Sequence, residues 1–320
     1  MSTKARILLV GLVGFVLVAV FWFGQVEIQN FFLGELREKS YSQIASMRSD
    51  ILAKKFQTAK PLRERETQDL IIQAPAAISV RIAKNGSQSI LFAKNPEQTL
   101  PIASLTKLMT GLVVMENCNL NQQIVFSETA ASMEGEPNFF KAGETFYSKD
   151  LLYSCLIESS NRAGQALAES LGKDMFVGLM NAKAKELGLN NTHFINPTGL
   201  DPDYPEILSN FSSAWDLVRF STHLFKNDFF TEIAGTKEFD IYEIGKGFHH
   251  KAISTNELLR EMPEILFGKT GQTPFAGKCL LIVLDAPDND GYIVNVILGS
   301  QDHFGEMRKL IDWVETVYSW

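Results

Sequence analysis

Residues 101–110 read PIASLTKLMT and contain a serine and a lysine three positions apart, at the start of a predicted helix over 104–117. Ser104 and Lys107 therefore lie on one face of that helix, one turn apart. A serine hydroxyl is a poor nucleophile and needs a base within hydrogen-bond reach. A lysine serves as that base only when it is deprotonated, which requires a pKa lowered by burial and by a second cation. The segment therefore predicts a nucleophile with its own base.

Two further short motifs follow the first in order. Ser159-Ser160-Asn161 has the form S-x-N and lies in a predicted break between two helices. Lys269-Thr270-Gly271 has the form K-T-G and comes ahead of a predicted strand, and Lys269 is the candidate for the second cation. The motifs S-x-x-K, S-x-N and K-T-G together are the set found in penicillin-binding proteins and class A β-lactamases. Each motif is common by itself, so the inference depends on their order and on the residues around them.

The residues around the motifs resemble the serine-type D-alanyl-D-alanine carboxypeptidases, the low-molecular-weight penicillin-binding proteins. Residues 101–110 are similar to the nucleophile helix of that family, and residues 268–277, GKTGQTPFAG, are similar to its third motif. Residues 192–200, THFINPTGL, are similar to a loop of the family. The resemblance runs from about residue 76 to about residue 318.

The order of predicted elements indicates an α+β fold. Strand patterns at 78–82 and 90–92 near one end, and at 278–284 and 292–298 near the other, enclose a helical middle, so one sheet needs both ends of the region. The resemblance implies a β-lactamase/transpeptidase-like architecture. In that architecture an antiparallel sheet is flanked by helices, an all-helical subdomain lies beside it, and the active site lies between the two.

The resemblance implies catalytic roles for three side chains. Ser104 would attack the peptide carbonyl with Lys107 as general base, and Ser159 would relay the proton to the leaving D-alanine. The oxyanion would be held by the backbone N–H groups of Ser104 and Gln272. Water would then hydrolyse the acyl-enzyme.

The resemblance also implies which residues bind the substrate. Asn161 would hold the amide of the substrate, and Lys269 with Thr270 would face its terminal carboxylate. Gly271 and Gln272 complete the predicted set of substrate-binding residues.

These roles imply a serine D,D-carboxypeptidase, a hydrolase that acts on peptidoglycan stem peptides ending in D-Ala-D-Ala and releases the terminal D-Ala. β-Lactam antibiotics would be covalent inhibitors, and the reaction would belong to cell-wall synthesis and cell shape in a bacterium. No cofactor and no metal are expected, because the mechanism needs neither.

Two positions depart from the family pattern. The S-x-N motif is usually followed by Asp, but here Arg162 follows it, either to pair with a carboxylate on the next helix or to alter substrate contacts. The family tends to carry an Arg before a Phe ahead of its last helix, and here His303 precedes Phe304. A neutral histidine binds a carboxylate less well at pH 7. The alternative of a D,D-endopeptidase that cleaves peptidoglycan cross-links therefore stays open.

Two other readings compete with a carboxypeptidase. Class A β-lactamases activate water with a Glu placed four residues before an Asn, and Glu206 and Asn210 have that spacing, although the surrounding residues match the carboxypeptidases better. A catalytically inactive wall-binding or sensor module would not need a nucleophile, a base and an oxyanion site together, so the three intact motifs argue against it.

The charge of −7 is unevenly distributed along the chain. Residues 1–75 carry a net +3 and residues 76–320 a net −10. A domain of that charge repels a phosphate backbone, so no nucleic-acid partner is expected.

The N-terminal segment predicts a membrane anchor. Lys4 and Arg6 precede an uninterrupted apolar run, Ile7–Phe23, which ends in bulky aromatic residues rather than in a small-residue cleavage site. We expect a single-pass transmembrane signal-anchor over 1–24 in the cell membrane, a partly helical stalk over 25–75, and a catalytic domain over 76–320 on the extracytoplasmic side. A signal peptide cleaved at an atypical site is the alternative.

The adjacent residues His249 and His250 raise the question of a metal site. Neighbouring histidines do not share a helix face, and the mechanism needs no metal, so none is predicted here.

Overall fold

The computed structural model describes residues 61–64, 68–135, 138–202 and 209–320. The predicted anchor over 1–24, most of the predicted stalk, and Glu206 lie outside these ranges. The chain divides into two compact units, Met1–Leu62 and Arg63–Trp320. The fold described in the following paragraphs is that of the second unit. No helix within the described ranges is long and apolar enough to cross a membrane. The predicted domain boundaries therefore stay predictions.

The described residues form short helices in the middle of the chain and long strands towards both ends. The helices are α1 (Thr106–Asn117), α2 (Glu128–Ala131), α3 (Ser148–Leu156), α4 (Asn161–Glu169), α5 (Lys173–Glu186), α6 (Ala214–Leu224), α7 (Asp228–Ala234), α8 (Leu258–Glu261) and α9 (His303–Val317), with a 3-10 turn at Ala103–Leu105. The strands are β1 (Leu62–Arg63), β2 (Ala76–Ile82), β3 (Gln88–Lys94), β4 (Leu100–Pro101), β5 (Gln123–Val125), β6 (Thr145–Tyr147), β7 (Phe211–Ser212), β8 (Glu238–Glu243), β9 (Gly247–Ile253), β10 (Ile265–Thr273), β11 (Gly277–Asp285), β12 (Tyr292–Ser300) and β13 (Tyr318–Ser319).

A five-stranded antiparallel sheet in the order β10-β11-β12-β2-β3 is the framework of the fold. β2, from the start of the described domain, pairs with β12, from near its end, and Val80 lies opposite Val294. The prediction that one sheet needs both ends of the region is therefore confirmed.

Alternate side chains on a strand point to opposite faces of a sheet, and on β2 and β12 the side chains on both faces are buried. On β12, Val294 and Val296 belong to the core shared with the central helices, whereas Ile293 and Ile297 belong to the core formed with α9. This burial explains why the strands read as apolar runs with little alternation.

Helix α1 lies at the centre of the helical part and packs against α3, α4 and α5. Its residues from Thr106 to Val114 are all buried, including the polar side chains of Thr106, Lys107 and Thr110. An α-helix that is buried on every side sits inside a domain core. The first motif is therefore held rigidly.

The fold brings the three motifs to one place. The first occupies the 3-10 turn and the first turn of α1, and the second fills the gap between α3 and α4. The third lies on β10, at the edge of the sheet, and β10 contacts the 3-10 turn. The motif lies ahead of the strand predicted over 278–284, which is β11, but the sequence did not predict that the motif is itself part of a strand. Lys269-Thr270-Gly271 lies within β10, because the ladder with β11 continues through Thr273.

Candidate active site

The nucleophile and its base are joined directly in the structure. The Nζ of Lys107 lies 2.8 Å from the Oγ of Ser104. The same Nζ lies 2.7 Å from the Oδ1 of Asn161 and 2.7 Å from the backbone carbonyl oxygen of Thr198. Lys107 is completely buried, whereas Ser104 is partly exposed. One amine thus connects the first motif, the second motif and the loop over 192–200.

The three partners of Lys107 determine what its amine does when it is neutral. A carbonyl oxygen only accepts hydrogen bonds, so Asn161 and Thr198 take the two N–H groups of a neutral amine. The remaining lone pair then faces the hydroxyl of Ser104 and accepts its proton. Burial lowers the pKa of Lys107 from its usual 10.5 to about 8, so a neutral fraction exists near neutral pH. The geometry therefore fits a serine nucleophile with a lysine base.

The second motif is held in a strained turn. Ser159 has φ +64°, in the left-handed region that a serine rarely occupies. The next residue, Ser160, caps α4, since its Oγ accepts from the backbone N–H of Ala163 at 3.2 Å. Non-glycine residues with such φ values concentrate at functional sites. The conformation directs Ser159 towards the third motif.

Lys269 connects the second and third motifs. Its Nζ donates to the Oγ of Ser159 at 2.8 Å and to the carbonyl of Thr270 at 3.1 Å. Burial, and after it the charge of Lys107, lower the pKa of Lys269 well below its usual value. Burial is the main cause of the lowered pKa of Lys107, ahead of the second cation that the sequence suggested for this role.

The edge strand β10 passes directly over the nucleophile. A Cβ placed on Gly271 would lie 3.0 Å from the backbone N of Ser104 and 3.0 Å from the carbonyl oxygen of Ile102. Gly271 thus permits a close approach that a side chain would hinder. The exposed Gln272 follows it, and the Oγ1 of Thr270 lies 2.5 Å from that of Thr255. The predicted binding residues therefore converge on Ser104.

The loop over 192–200 supplies parts that reasoning from the motifs missed. Gly199 has φ +84°, and a Cβ there would lie 1.9 Å from the carbonyl oxygen of Ala103. The Oδ1 of Asn196 accepts from the backbone N–H of Thr198 at 3.1 Å and of Gly199 at 2.7 Å. These contacts aim the Thr198 carbonyl at Lys107. The sequence did indicate this loop, because residues 192–200 are similar to a loop of the family. That similarity did not assign the loop a role in the active site.

Asn210 has a structural role in the described residues. It is buried, its Nδ2 donates to the Oγ1 of Thr106 at 2.9 Å, and its Oδ1 accepts from the backbone N–H of Ile195 at 2.7 Å. It therefore ties the loop over 192–200 to the start of α1. Glu206, its partner in the β-lactamase reading, lies outside the described residues.

Asp201 is another residue that motif matching missed. Its carboxylate accepts from the Oγ1 of Thr273 at 2.8 Å and from the backbone N–H of Phe275 at 2.9 Å. These bonds hold the turn that follows β10.

Within the ranges that the structure describes, Arg162 pairs with no carboxylate, so the expected pair with a carboxylate on the next helix is wrong. Its guanidinium donates to the backbone carbonyls of Met133 at 3.3 Å, Asn138 at 2.7 Å and Phe140 at 2.8 Å. A guanidinium presents several donors in a fixed plane, which suits a set of carbonyls on one loop. The same loop provides the Glu134 carbonyl, which accepts from the Nδ2 of Asn161 at 2.7 Å. Arg162 therefore braces the loop that positions Asn161.

His303 begins α9 and is buried. Burial, followed by the charge of Lys278, lowers its pKa to about 4. His303 is therefore neutral at pH 7. The expectation that it binds a carboxylate less well than an arginine would depended on this neutral state.

No group of three or more His, Cys, Asp or Glu side chains within the described ranges is arranged to hold a metal ion.

Known proteins with similar sequences fall in one family. A family model described as D-alanyl-D-alanine carboxypeptidase matches residues 63–302. The chain is 32% identical over 264 residues to the D-alanyl-D-alanine carboxypeptidase DacF of Bacillus subtilis, which covers 79% of this chain and 65% of that protein. It is also 32% identical over 253 residues to a D-alanyl-D-alanine endopeptidase of Pseudomonas aeruginosa, covering 76% of this chain and 79% of that one.

A solved structure has a similar fold. Penicillin-binding protein D2 of Listeria monocytogenes, in its ampicillin-bound form, superposes with a TM-score of 0.66 at 27% identity and covers 77% of this chain and 98% of that one. The predicted α+β class and architecture are therefore confirmed.

Proposed function

The chain belongs to the D-alanyl-D-alanine carboxypeptidase family of serine peptidases, and on that premise we propose that it releases the terminal D-Ala of peptidoglycan stem peptides through an acyl-enzyme on Ser104. The observation that carries the proposal is the 2.8 Å contact between the Nζ of Lys107 and the Oγ of Ser104. The two carbonyl acceptors on the same amine leave its lone pair for the hydroxyl proton.

Acylation follows from this geometry. The Oγ of Ser104 bonds to the carbonyl carbon of the penultimate D-Ala while its proton passes to Lys107. The backbone N–H groups of Ser104 and Gln272 stabilise the negative charge that develops on the carbonyl oxygen. The C–N bond then breaks, and D-Ala leaves once its nitrogen has gained a proton.

Ser159 is suited to deliver that proton. The Nζ of Lys269 donates to its Oγ, so the O–H of Ser159 is free to point at the leaving nitrogen. Ser159 then recovers a proton from Lys107, so the net result is transfer of the Ser104 proton to D-alanine. Water then attacks the ester, and Ser104 is regenerated.

Substrate binding draws on the remaining motif residues. The positive charge of Lys269 and the hydroxyl of Thr270 suit a terminal carboxylate. Both ends of the Asn161 amide already have partners in the unbound protein, Lys107 and the Glu134 carbonyl. Asn161 therefore exchanges one of these bonds when it holds the substrate amide.

β-Lactams would acylate the same serine. Penicillin-binding protein D2 of Listeria monocytogenes, to which this chain is similar, is solved with ampicillin and with cefotaxime bound. Attack by Ser104 on a β-lactam opens the ring, and the amine that is released stays tethered to the acyl group. We expect a stable adduct for that reason.

Cross-link cleavage is the second candidate. The neutral, buried His303 weakens the case for a free terminal carboxylate, and one of the similar proteins is named a D-alanyl-D-alanine endopeptidase. Both reactions use the same nucleophile and differ in the group that leaves.

One experiment separates the two. The protein without residues 1–24 is incubated with a pentapeptide ending in D-Ala-D-Ala and with a cross-linked dimer, and the products are weighed. Release of D-Ala from the pentapeptide supports a carboxypeptidase. Cleavage of the dimer alone supports an endopeptidase, and no product from either contradicts both.

We also propose that residues 1–24 anchor the protein in the cell membrane with the catalytic domain outside the cytoplasm. The support is the apolar run Ile7–Phe23 behind two positive charges. Cell fractionation of the full chain, and of a chain lacking residues 1–24, tests this. The full chain should sediment with membranes and the shortened one should not.

A further inference from the structure

A row of four ionisable side chains lies behind the second motif and takes no part in the mechanism above. The Oε1 of Glu158 lies 3.0 Å from the Nε2 of His250. The Nδ1 of His250 lies 2.6 Å from the Nδ1 of His249, and the Nε2 of His249 lies 3.4 Å from the Oε2 of Glu144. A carboxylate thus stands at each end of a pair of imidazoles.

The row is shielded from water. The side chains of Glu158 and His250 are 5% and 7% exposed, and those of His249 and Glu144 are 13% and 14% exposed. Phe140 stacks on His249 with ring centroids 5.5 Å apart, and Phe139 packs on His250 at 4.5 Å. Buried polar groups of this kind are costly unless every one is satisfied. Their protonation state therefore matters to the structure around them.

Counting hydrogens gives that protonation state. The row has two hydrogen bonds, Glu158 to His250 and His250 to His249, and one ion-pair contact at 3.4 Å, His249 to Glu144. With both carboxylates ionised, each of the three contacts needs a hydrogen from an imidazole, because a carboxylate only accepts. Two neutral imidazoles carry two N–H groups, and two imidazoliums carry four, which would set two Nδ1–H groups against each other. With the carboxylates ionised, one imidazolium and one neutral imidazole satisfy all three contacts.

Glu158 connects this row to the active site. It directly precedes Ser159, whose φ of +64° needs support from its surroundings. Its Oε1 also accepts from the Oγ of Ser154 at 2.5 Å, and the Ser154 carbonyl accepts from the backbone N–H of Ser160 at 3.2 Å. The Glu158 carboxylate is thus bonded to Ser154, and the backbone carbonyl of Ser154 in turn holds the turn that presents Ser159 to Lys269.

We propose that Glu158, His250, His249 and Glu144 form a row that shares one proton and positions Ser159, so that acylation of Ser104 slows when a second proton enters the row. These four are positioning residues and do not touch the substrate. The inference rests on the proposed function, because it concerns the serine that serves the leaving group.

The charged groups around the row determine where it titrates. Glu144 and Glu243 face His249, and Lys246 pairs with Glu243 at 2.7 Å. Burial, and then the charge of His250, lower the pKa of His249 from its usual 6.5, against the opposing effect of Glu144. The second proton therefore enters below neutral pH.

The test has two parts. First, the ¹⁵N spectra of the histidines in the wild-type domain are recorded between pH 5 and 8. One imidazolium and one neutral ring at positions 249 and 250 near pH 7 are expected. Two neutral rings, or two charged ones, would overturn the proposal, and this measurement does not depend on any variant folding.

Second, the rate of acylation by a fluorescent penicillin is measured against pH for the wild type, Glu158→Gln and His249→Gln, with His223→Gln as a control remote from the row. Glu158→Gln should slow acylation at least tenfold at its optimum. As the pH is lowered on the acid side, the logarithm of the wild-type acylation rate should fall by more than one unit per pH unit. In His249→Gln the logarithm of the rate should fall by one unit per pH unit. If both variants fold and both keep the wild-type dependence of acylation rate on pH, the proposal of a proton-sharing row is overturned. A wild type that penicillin does not label at all would instead overturn the proposed function.

Discussion

The Nζ of Lys107 lies 2.7 Å from the Oδ1 of Asn161, so the first and second motifs share a hydrogen bond. Because this oxygen only accepts, it holds one N–H of the lysine and keeps the amine turned towards Ser104. The contact explains why a lysine buried on an apolar helix remains usable as a base. The predictions below follow from it and from the contacts around it.

Changing Asn161→Asp should shift the pH dependence of acylation upwards. A carboxylate beside Lys107 favours the charged form of the amine and raises its pKa, so the neutral base appears only at higher pH. The rate of penicillin acylation at pH 7 should fall about a hundredfold. Asn117→Asp, at the end of α1, the helix that carries Lys107, is the matched control and should leave the profile unchanged. An unshifted profile in Asn161→Asp would refute this role.

The wild-type enzyme should gain acylation rate as the pH rises through about 8, because burial lowers the pKa of Lys107 to that value and the neutral amine is the reactive form. Above this pH the rate should level off. Lys107→Arg should lose at least about a thousandfold at every pH, since a guanidinium does not deprotonate in proteins. Lys183→Arg, on α5, serves as the control. A rate that is flat between pH 6 and 9 would contradict the assignment of the base.

Gly199→Ala should destabilise the protein and disturb the nucleophile. The added Cβ would lie 1.9 Å from the Ala103 carbonyl oxygen, and the backbone is already at φ +84°. We expect a loss of at least about 3 kcal/mol in the free energy of unfolding.

Gly172→Ala is the matched control for this change. Its φ of +86° is nearly the same, and nothing lies within 4 Å of its added Cβ. It should cost less than Gly199→Ala, because only the backbone strain, on the order of 1 to 3 kcal/mol, applies there. Equal losses in the two variants, measured by denaturant titration, would argue against the close contact at Ala103.

Arg162→Met should loosen the loop over 133–140. Three backbone carbonyls lose a charged donor, and we expect about 2 kcal/mol of lost stability. Acylation should slow as well, because the Glu134 carbonyl that holds Asn161 belongs to this loop. Arg219→Met, which removes a single bond to the Gly188 carbonyl, is the control. Thermal melting and penicillin labelling measure the two effects, and unchanged labelling would exclude the bracing role.

Much of this architecture could be predicted from the sequence. Apolar runs at both ends of the domain predicted a sheet that joins them, and β2 pairs with β12 as expected. The predicted helix over 104–117 ends at the same residue as α1 and begins two residues before it, where the structure has a 3-10 turn. These elements carry strong local signals, namely hydrophobic runs and capping residues.

Other features depend on contacts that no local pattern encodes. The hairpin of β8 and β9 was not predicted, although it carries His249 and His250. The Thr198 carbonyl meets Lys107 across 91 positions of the chain, and a backbone carbonyl leaves no trace in a motif of side chains. The predicted partner of Arg162 was wrong for the same reason. A sequence shows where carboxylate side chains are, but it does not show which backbone carbonyls come together in the fold.

The most direct test of the central claim is the intact mass of the protein without residues 1–24 after incubation with a penicillin, for the wild type and for Ser104→Ala. The wild type should gain the full mass of one penicillin molecule, and peptide mapping should place that mass on Ser104. Ser104→Ala, with the same melting temperature, should gain nothing. An adduct on the alanine variant, or on any residue other than Ser104 in the wild type, would contradict the account.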